Sequence, residues 1–437
     1  MADVTFRDQA ILLLSNLEEG REVRTYLQQF SKTDLGCFAV IKVGGALVAE
    51  ERAALGQRLA LLQALDLKPI VVFGSGPQLD AKLSAAGIET PRKDGLRVTP
   101  TDAVAIVARE AASTGLSLAE AITGAGGHAF LAPPSAVIAE AIDPDTYGRV
   151  GTALGVHAES IEQLLRTDAI PLVGCVAQDA EGRMLNVNAD DIARVIAQAV
   201  TPQKIVFLTS TGGLLDETGA IIDSINLATD YDTLMAEDWV HSGMAVKLQQ
   251  IRKLLDGLPM SSSVSMTDTK HMMKELFTHG GAGTLIRQGE RILVSRDVDV
   301  EKLTPLIETA FGRPLRADYW AETKIDYVIH SERYRAAAVV TNHGGIPCLD
   351  KFAVSHEARG EGLAKAVWKV LRQEAPNLIW RSRPSNPFNG FYVNAADGFL
   401  RADPWLVLWC GDVLGGEALR LAKEVAQRPP DFAGDAA

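Results

Sequence analysis

Two glycine-bearing turns of different design stand about 300 residues apart in this chain, each after an apolar run and before a helical one. The first is Ile41-Lys42-Val43-Gly44-Gly45; the second is Arg359-Gly360-Glu361-Gly362-Leu363-Ala364. A glycine turn between strand and helix lets backbone N–H groups approach phosphate oxygens at the positive end of a helix dipole. Two such turns so far apart require two strand–helix units. One suits a nucleotide γ-phosphate, the other the pyrophosphate of a coenzyme.

Length and composition agree with two units. At roughly 150 residues per domain, 437 residues allow two or three domains. Hydrophobic residues make up 47% and charged residues 22%, enough for a sizeable core. The formal charge of −12 argues against general binding to nucleic-acid backbones. Cys37, Cys175, Cys348 and Cys410 are scattered without paired spacing, which fits a reducing compartment and argues against a zinc site or disulfide framework. The histidines show no metal-ligand spacing, and His343 and His356 read as solvated or locally bonded. No apolar run reaches the roughly 18 residues of a membrane span. Asp3, Asp8, Glu18 and Glu19 are wrong for a signal or transit peptide. The expectation is a soluble protein of the bacterial cytoplasm with no nucleic-acid, membrane or resident-metal role.

Three segments follow. Residues 1–36 read as helical, with Val23, Tyr26, Leu27 and Phe30 forming one apolar stripe that needs a partner, either the next domain or another subunit. Residues 37–290 alternate strand-like runs (Phe38 to Val43, Ile70 to Phe73, Ala169 to Val173, Lys204 to Leu208) with helical patterns. This predicts an α/β domain with a mostly parallel sheet between helix layers. Asp216-Glu217-Thr218-Gly219 predicts a local hairpin turn. Residues 291–437 are richer in Tyr and Trp and place adjacent strand candidates (Lys324 to His330, Ala336 to Thr341, Ile346 to Val354) before a long helix from Gly360. That order predicts an α+β domain.

In the first domain a lysine beside two glycines places a point charge on a transferring phosphoryl group. Gly74-Ser75-Gly76-Pro77 makes a second glycine turn. Gly95-Leu96-Arg97-Val98 puts an arginine in a loop, where its fork can grip a carboxylate. Asn186-Val187-Asn188-Ala189-Asp190 caps a helix, which plain N-cap chemistry also explains. Gly243-Met244-Ala245-Val246-Lys247 adds a lysine at a helix start. In this order and spacing the set resembles the amino acid kinase family, and within it the N-acetylglutamate kinases. The resemblance implies that Lys42 and Lys247 stabilise the charge on the transferred group and that Asp190 orients both. It also implies that Arg97 and Asn186 hold N-acetyl-L-glutamate, while Gly44, Gly45, Gly74 and Gly76 supply backbone contacts. ATP would bring Mg2+ on its phosphates. Two departures weaken the match: Ser75 stands where a third glycine is usual, and Ser210 where an aspartate is usual.

In the second domain, Arg359-x-x-Gly362-x-Ala364 is similar to the acetyl-CoA-binding pattern of the GNAT acetyltransferases. With Leu349-Asp350-Lys351-Phe352, Trp380-Arg381-Ser382-Arg383 and Asn386-Pro387-Phe388-Asn389-Gly390-Phe391-Tyr392, it resembles the acetyltransferase domain of vertebrate-like N-acetylglutamate synthases. The resemblance implies that residues Arg359, Gly360, Glu361, Gly362, Leu363 and Ala364 bind acetyl-CoA. Lys351 and Arg383 would hold L-glutamate carboxylates, Asn386 would bind glutamate or align its amine, and Tyr392 would protonate the leaving thiolate. Arg381 and Arg383, two apart, share a face on a strand unless a bend before Pro384 separates them.

Glu275 and Gly281 lie in a segment resembling the arginine-binding region of arginine-sensitive N-acetylglutamate kinases, with Tyr26 a further contact; a glycine helix cap explains the segment equally well. The joint expectation is a bifunctional enzyme that acetylates glutamate and phosphorylates the product, regulated by L-arginine and assembled as a homo-oligomer, with a tetramer favoured. Two alternatives stand beside it: a synthase whose kinase domain only senses arginine, and a non-catalytic amino-acid-binding regulator.

Overall fold

The computed structural model describes residues 9, 10, 13 and 37–433, apart from 68, 94, 158, 161–162, 164–165, 167, 241–242, 261, 278–281, 357, 359–361, 387, 412–414 and 429–430. The chain divides into two compact units, residues 1–288 and 289–437. The amphipathic stripe around Tyr26 lies outside the described residues. Among the described residues no helix is long and apolar enough to cross a membrane.

The first unit is built on an eight-stranded sheet. Its strands run, from one edge to the other, Ser224–Asn226, Thr284–Arg287, Ser263–Thr267, Lys204–Leu208, Ala39–Val43, Pro69–Phe73, Ile170–Val173 and Ala129–Leu131. Every neighbouring pair is parallel except Ser263–Thr267 with Thr284–Arg287. A parallel sheet is covered on both faces, so its central strands read as continuous apolar runs. Ala39–Val43 shows this directly: every residue is buried except Lys42, which is half-buried. The two faces feed separate cores, one with Val40, Ile70 and Val72 and the other with Ile41, Val71 and Phe73. Beside the sheet, Val137–Ala141, Val150–Val156, Val176–Gln178 and Met184–Val187 close a small barrel. Leu215 bridges to Ile221 across the turn at Asp216, as the hairpin reading requires.

The second unit is a seven-stranded sheet, ordered Ile292–Ser295, Ile325–Ser331, Ala336–His343, Ile346–Val354, Leu378–Ser382, Trp405–Cys410 and Gly398–Ala402. All pairs are antiparallel except Ile346–Val354 with Leu378–Ser382. That parallel pair is in register over only Cys348↔Ile379 and Leu349↔Trp380, so the rest of the long strand runs on without this neighbour. A bulge interrupts the other side of the same strand. Val339 faces Lys351 and Val340 faces Leu349, leaving Asp350 as the extra residue. Period-two alternation would send Asp350 and Lys351 to opposite faces; a bulge overrides it. The helix Leu363–Glu374 covers this region, burying Leu363, Val367, Trp368 and Leu371.

Candidate active sites

The first site forms where parallel strands end. In open α/β sheets ligands bind beyond the carboxyl ends of the strands. Here that edge brings together the turns after Ala39–Val43 and Pro69–Phe73. Their contact is backbone on backbone: Gly74 N–H donates to Val43 O at 3.0 Å, and Gln78 Nε2 donates to Gly45 O at 2.7 Å. A Cβ on Gly45 would lie 2.8 Å from Gly76 N and 2.9 Å from Gly74 O, so only glycine permits the approach. At Gly44 and Gly76 a Cβ would meet nothing within 4 Å. The glycines therefore have two tasks: Gly45 lets the turns close on each other, while Gly44 and Gly76 leave open space above them. Ser75 does not intrude on that space. It is 1% exposed, takes φ −133°, which any residue adopts, and puts its Oγ 3.5 Å from Cys175 Sγ.

Asp190 reaches the site from the helix Ala189–Val200. The Asn188 side chain caps that helix by accepting from Asp190 N–H at 3.0 Å. Asp191 ties the first turn to the barrel, accepting from Thr152 Oγ1 at 2.9 Å and Ala153 N–H at 2.6 Å. Ile192, Val195 and Ile196 are buried beneath it. At about 1.5–3 kcal/mol each, these three hold the helix more firmly than the cap, worth about 1 kcal/mol. So placed, Asp190 Oδ1 lies 2.6 Å from Lys42 Nζ, and both side chains are largely covered (14% and 17% exposed). Lys247, on the helix Gly243–Asp256, joins them electrostatically. Burial depresses its ammonium, the Lys42 charge depresses it further, and Asp190 opposes both. Two lysines thus share one carboxylate beside open glycine turns, an arrangement that attracts a polyanion and can stabilise charge developing on a transferring phosphoryl group.

Arg97 and Asn186 differ in detail from their sequence reading. Arg97 lies on the short strand Leu96–Arg97, paired with Arg92–Lys93, and not in a loop. Its guanidinium is buried against Asp80, Thr90 Oγ1 (3.1 Å) and Gly76 O (3.5 Å). Asn186 donates to Thr99 Oγ1 at 3.0 Å, and Thr99 donates to Arg97 O at 2.9 Å, so one chain of bonds joins the two residues. Nothing in the sequence marked Asp80 or Thr99. Beyond the strand Lys204–Leu208, Asp268 Oδ2 would lie 3.4 Å from a Cβ at Gly212. A carboxylate from the next strand end therefore stands near the Ser210 segment. Glu275 is buried and accepts from Ala282 N–H at 2.9 Å; Gly281 and Tyr26 lie outside the described residues.

The second site is a cavity of about 560 Å³ in the second unit, whose lining includes Lys351, Arg381, Arg383, Asn386, Tyr392 and Trp405. Ala364 reaches its wall, Gly362 starts the adjoining helix at φ +80°, and Leu363 is buried in the core. Arg359, Gly360 and Glu361 lie outside the described residues. Lys351 is not an isolated cation. Its Nζ lies 2.6 Å from Asp350 Oδ2 and 2.8 Å from Asp431 Oδ2. Arg428 pairs with Asp350 Oδ1, and Arg381 Nη2 lies 3.1 Å from Asp431 Oδ2. Burial alone would raise the Asp350 carboxyl, yet Lys351 and then Arg428 hold it well below the usual carboxylate range. The bulge makes this possible by turning Asp350 toward Lys351. His343 is half-buried at the margin of the network, and burial followed by the Arg428 charge lowers its imidazole. The turn at Pro384 does not separate Arg381 from Arg383, because both guanidinium groups stack on Trp405, at 4.3 and 4.0 Å.

Tyr392 is buried against Trp380 and Trp368, with ring centroids 5.8 and 6.0 Å away. Burial raises its phenol, which therefore keeps its proton at neutral pH. The Asn386 amide is used locally, donating to Ser382 Oγ at 2.9 Å and accepting from Phe388 N–H at 3.0 Å.

Residues 38–261, which contain the glycine turns and the Lys42–Asp190 pair, match a model described as the amino acid kinase family. The chain belongs to that family. Residues 283–428 match a second model, NAT, N-acetyltransferase, of N-acetylglutamate synthase, so this kinase-family chain also carries an acetyltransferase unit. Acetylglutamate kinase of Xanthomonas campestris pv. campestris is 46% identical over 403 residues, covering 90% of this chain and 95% of the relative. Mitochondrial N-acetylglutamate synthase of Homo sapiens is 30% identical over 403 residues, covering 89% and 72% respectively. Among solved structures, N-acetylglutamate synthase from Neisseria gonorrhoeae complexed with coenzyme A and N-acetyl-glutamate has a TM-score of 0.65. It is 16% identical, covers 89% of this chain and 97% of that one, and so shares the fold.

Proposed function

We propose that this chain transfers the acetyl group of acetyl-CoA to the amine of L-glutamate, and phosphorylates the side-chain carboxylate of N-acetyl-L-glutamate with ATP. Both steps belong to arginine biosynthesis. The convergence of Lys42, Asp190 and Lys247 beside open glycine turns carries the kinase half. The carboxylate oxygen attacks the γ-phosphorus, the bond to the ADP oxygen breaks, and the two ammonium groups offset charge spread over the transferring oxygens. Asp190 holds Lys42 and keeps two like charges compatible. Magnesium enters with ATP. The nucleotide's phosphates would carry the ion.

In the acetyl transfer, the ammonium of bound glutamate first loses a proton to solvent, and the resulting neutral amine attacks the thioester carbonyl. The carbon–sulfur bond of the tetrahedral intermediate then breaks, the Tyr392 phenol gives its proton to the departing thiolate, and the proton shed by the acylated nitrogen passes through water to restore the phenol. A phenol kept protonated by its apolar surroundings suits that task. Arg383 faces the acceptor's carboxylates in a wall made positive by Lys351 and Arg381 behind it, and Asn386 lines the same cavity. L-Arginine is the proposed effector, for which Glu275 offers a buried carboxylate that accepts from Ala282 N–H. The likeness to bacterial relatives supports action in a bacterial cytoplasm.

The deciding experiment traps acyl phosphate with hydroxylamine from N-acetyl-L-glutamate and ATP, beside a Lys247→Ala control. Product that vanishes in the control supports the kinase. A protein that makes N-acetylglutamate but no acyl phosphate is a synthase alone, with its first unit left to sense arginine. The inward turn of Ser75 toward Cys175 favours the two-activity reading.

A further inference from the structure

We propose that Asp431 is an acceptor-binding residue of the acetyltransferase cavity: its Oδ2 anchors Lys351 and Arg381, and its Oδ1 receives the ammonium group of the incoming amino acid. This rests on the reading that the acceptor is a dicarboxylic amino acid. Such a ligand brings carboxylates, for which the positive wall around Arg383 is suited, and an ammonium, which needs an anion. Among the described residues the carboxylates lining the cavity are Asp350 and Asp431.

Their oxygens differ in availability. Asp350 is spent inside the fold: Oδ1 accepts from Arg428, and Oδ2 accepts from Lys351 at 2.6 Å and from the Tyr319 hydroxyl at 2.5 Å. Asp431 takes Lys351 at 2.8 Å and Arg381 at 3.1 Å, both on Oδ2. Among the described residues Oδ1 accepts no hydrogen bond. The Asp431 side chain is also the more open, 14% exposed against 1% for Asp350.

The carboxylate is held as part of the cavity wall. Arg316 N–H donates to Asp431 O at 3.1 Å, and Ala433 N–H donates to Pro314 O at 3.0 Å. Phe432 bridges to Leu315, packs 5.0 Å from the Phe311 ring and belongs to the core of Leu303 and Leu306. Charge-assisted hydrogen bonds to a preplaced carboxylate are strong, and ordering it costs no further entropy on binding.

The test is calorimetric titration of the full-length protein, loaded with coenzyme A, with L-glutamate and with glutarate, the same dicarboxylate without the amine. The wild type is expected to prefer glutamate by at least about tenfold. Asp431→Asn is expected to weaken glutamate about 10- to 100-fold while leaving glutarate within about threefold, which erases the preference. If both ligands weaken in parallel and the preference survives, Asp431 only positions the cations and the proposal fails. It fails equally if neither ligand responds. Wild-type protein that binds coenzyme A but neither dicarboxylate overturns the glutamate reading and this assignment together. Should Asp431→Asn lose coenzyme A as well, Asp431→Glu carries the test. Retained charge predicts a retained preference for glutamate, and its loss in a variant that still binds coenzyme A rejects the ammonium contact.

Discussion

The two sites solve the same electrostatic problem in opposite ways. In the kinase-family unit, Lys42 and Lys247 share Asp190, and burial and then the Lys42 charge lower the Lys247 ammonium. In the acetyltransferase unit, Asp350 bridges Lys351 and Arg428, and Asp431 bridges Lys351 and Arg381. Each set has one more cation than anion, so charge count does not separate them. Saturation does. The first set is left wanting an anion above open glycine turns, whereas the second is largely satisfied before any ligand arrives. A site for a polyphosphate gains from standing charge; a site for a small zwitterion needs charges fixed in place.

The largest expected effect tests the saturated network. Asp350→Asn leaves Lys351 and Arg428 buried with less compensation and should cost about 3–5 kcal/mol in urea unfolding, as breaking a buried pair does. The same experiment carries a pH sign. Asp350 has a depressed carboxyl, so its contribution is present above the unfolded carboxylate value of about 3.9 and is lost as pH falls toward its lowered native value. Wild type and Asp350→Asn should therefore converge in stability as the solution is acidified below about pH 4; curves that stay parallel would break the comparison.

Lys247→Met probes the unsaturated side. It should lower kinase kcat by about 10²–10³-fold, the usual loss of one charge-stabilising group, while raising the melting temperature of the ligand-free protein. The stability gain follows from the depressed ammonium. In the window between its native value and the ordinary lysine value of about 10.4, the unfolded state binds more protons. Stability contributed by this group therefore rises with pH through that window, and the variant lacks the rise. The wild-type kinase rate should fall on the alkaline side below the ordinary lysine range. A lower melting temperature for Lys247→Met would show that the lysine is satisfied without ligand.

Tyr392→Phe should reduce acetyl-transfer kcat about 10²-fold with little change in the KM for glutamate; a loss confined to KM would leave the ring with a packing role only. The glycine turns come last, where Gly45→Ala should destabilise by about 1–3 kcal/mol. Its backbone neighbours, Gly76 N and Gly74 O, cannot rotate away as side chains do. Gly44→Ala has open space and should change stability by less than about 0.5 kcal/mol while still impairing ATP binding. Equal stability losses at the two glycines would erase the division between closure and access.

Much of this was legible in the residues because it depends on local order. Apolar runs broken by glycine turns marked the parallel strands, and the spacing of Lys42, Asp190 and Lys247 followed a recognisable motif. The hairpin at Asp216 needed only its turn residues. The buried network was not legible. Asp350 stood beside Lys351 in the sequence, but alternation places them on opposite faces until a bulge intervenes. The resemblance pointed to Arg383 and left Arg381 without a role. What separates them is that Arg381 also binds the backbone oxygens of Val425 and Arg428 and the carboxylate of Asp431.

Sequence alone settled the order of elements, the family signatures and which side chains carry charge, because strand, turn and helix preferences act over a few neighbouring residues. Tertiary structure decided which of those charges are already neutralised. Lys42 finds Asp190 nearly 150 positions away, and Lys351 finds Asp431 80 positions away. Ion pairing depends on distance and burial in space, and neither is encoded in separation along the chain.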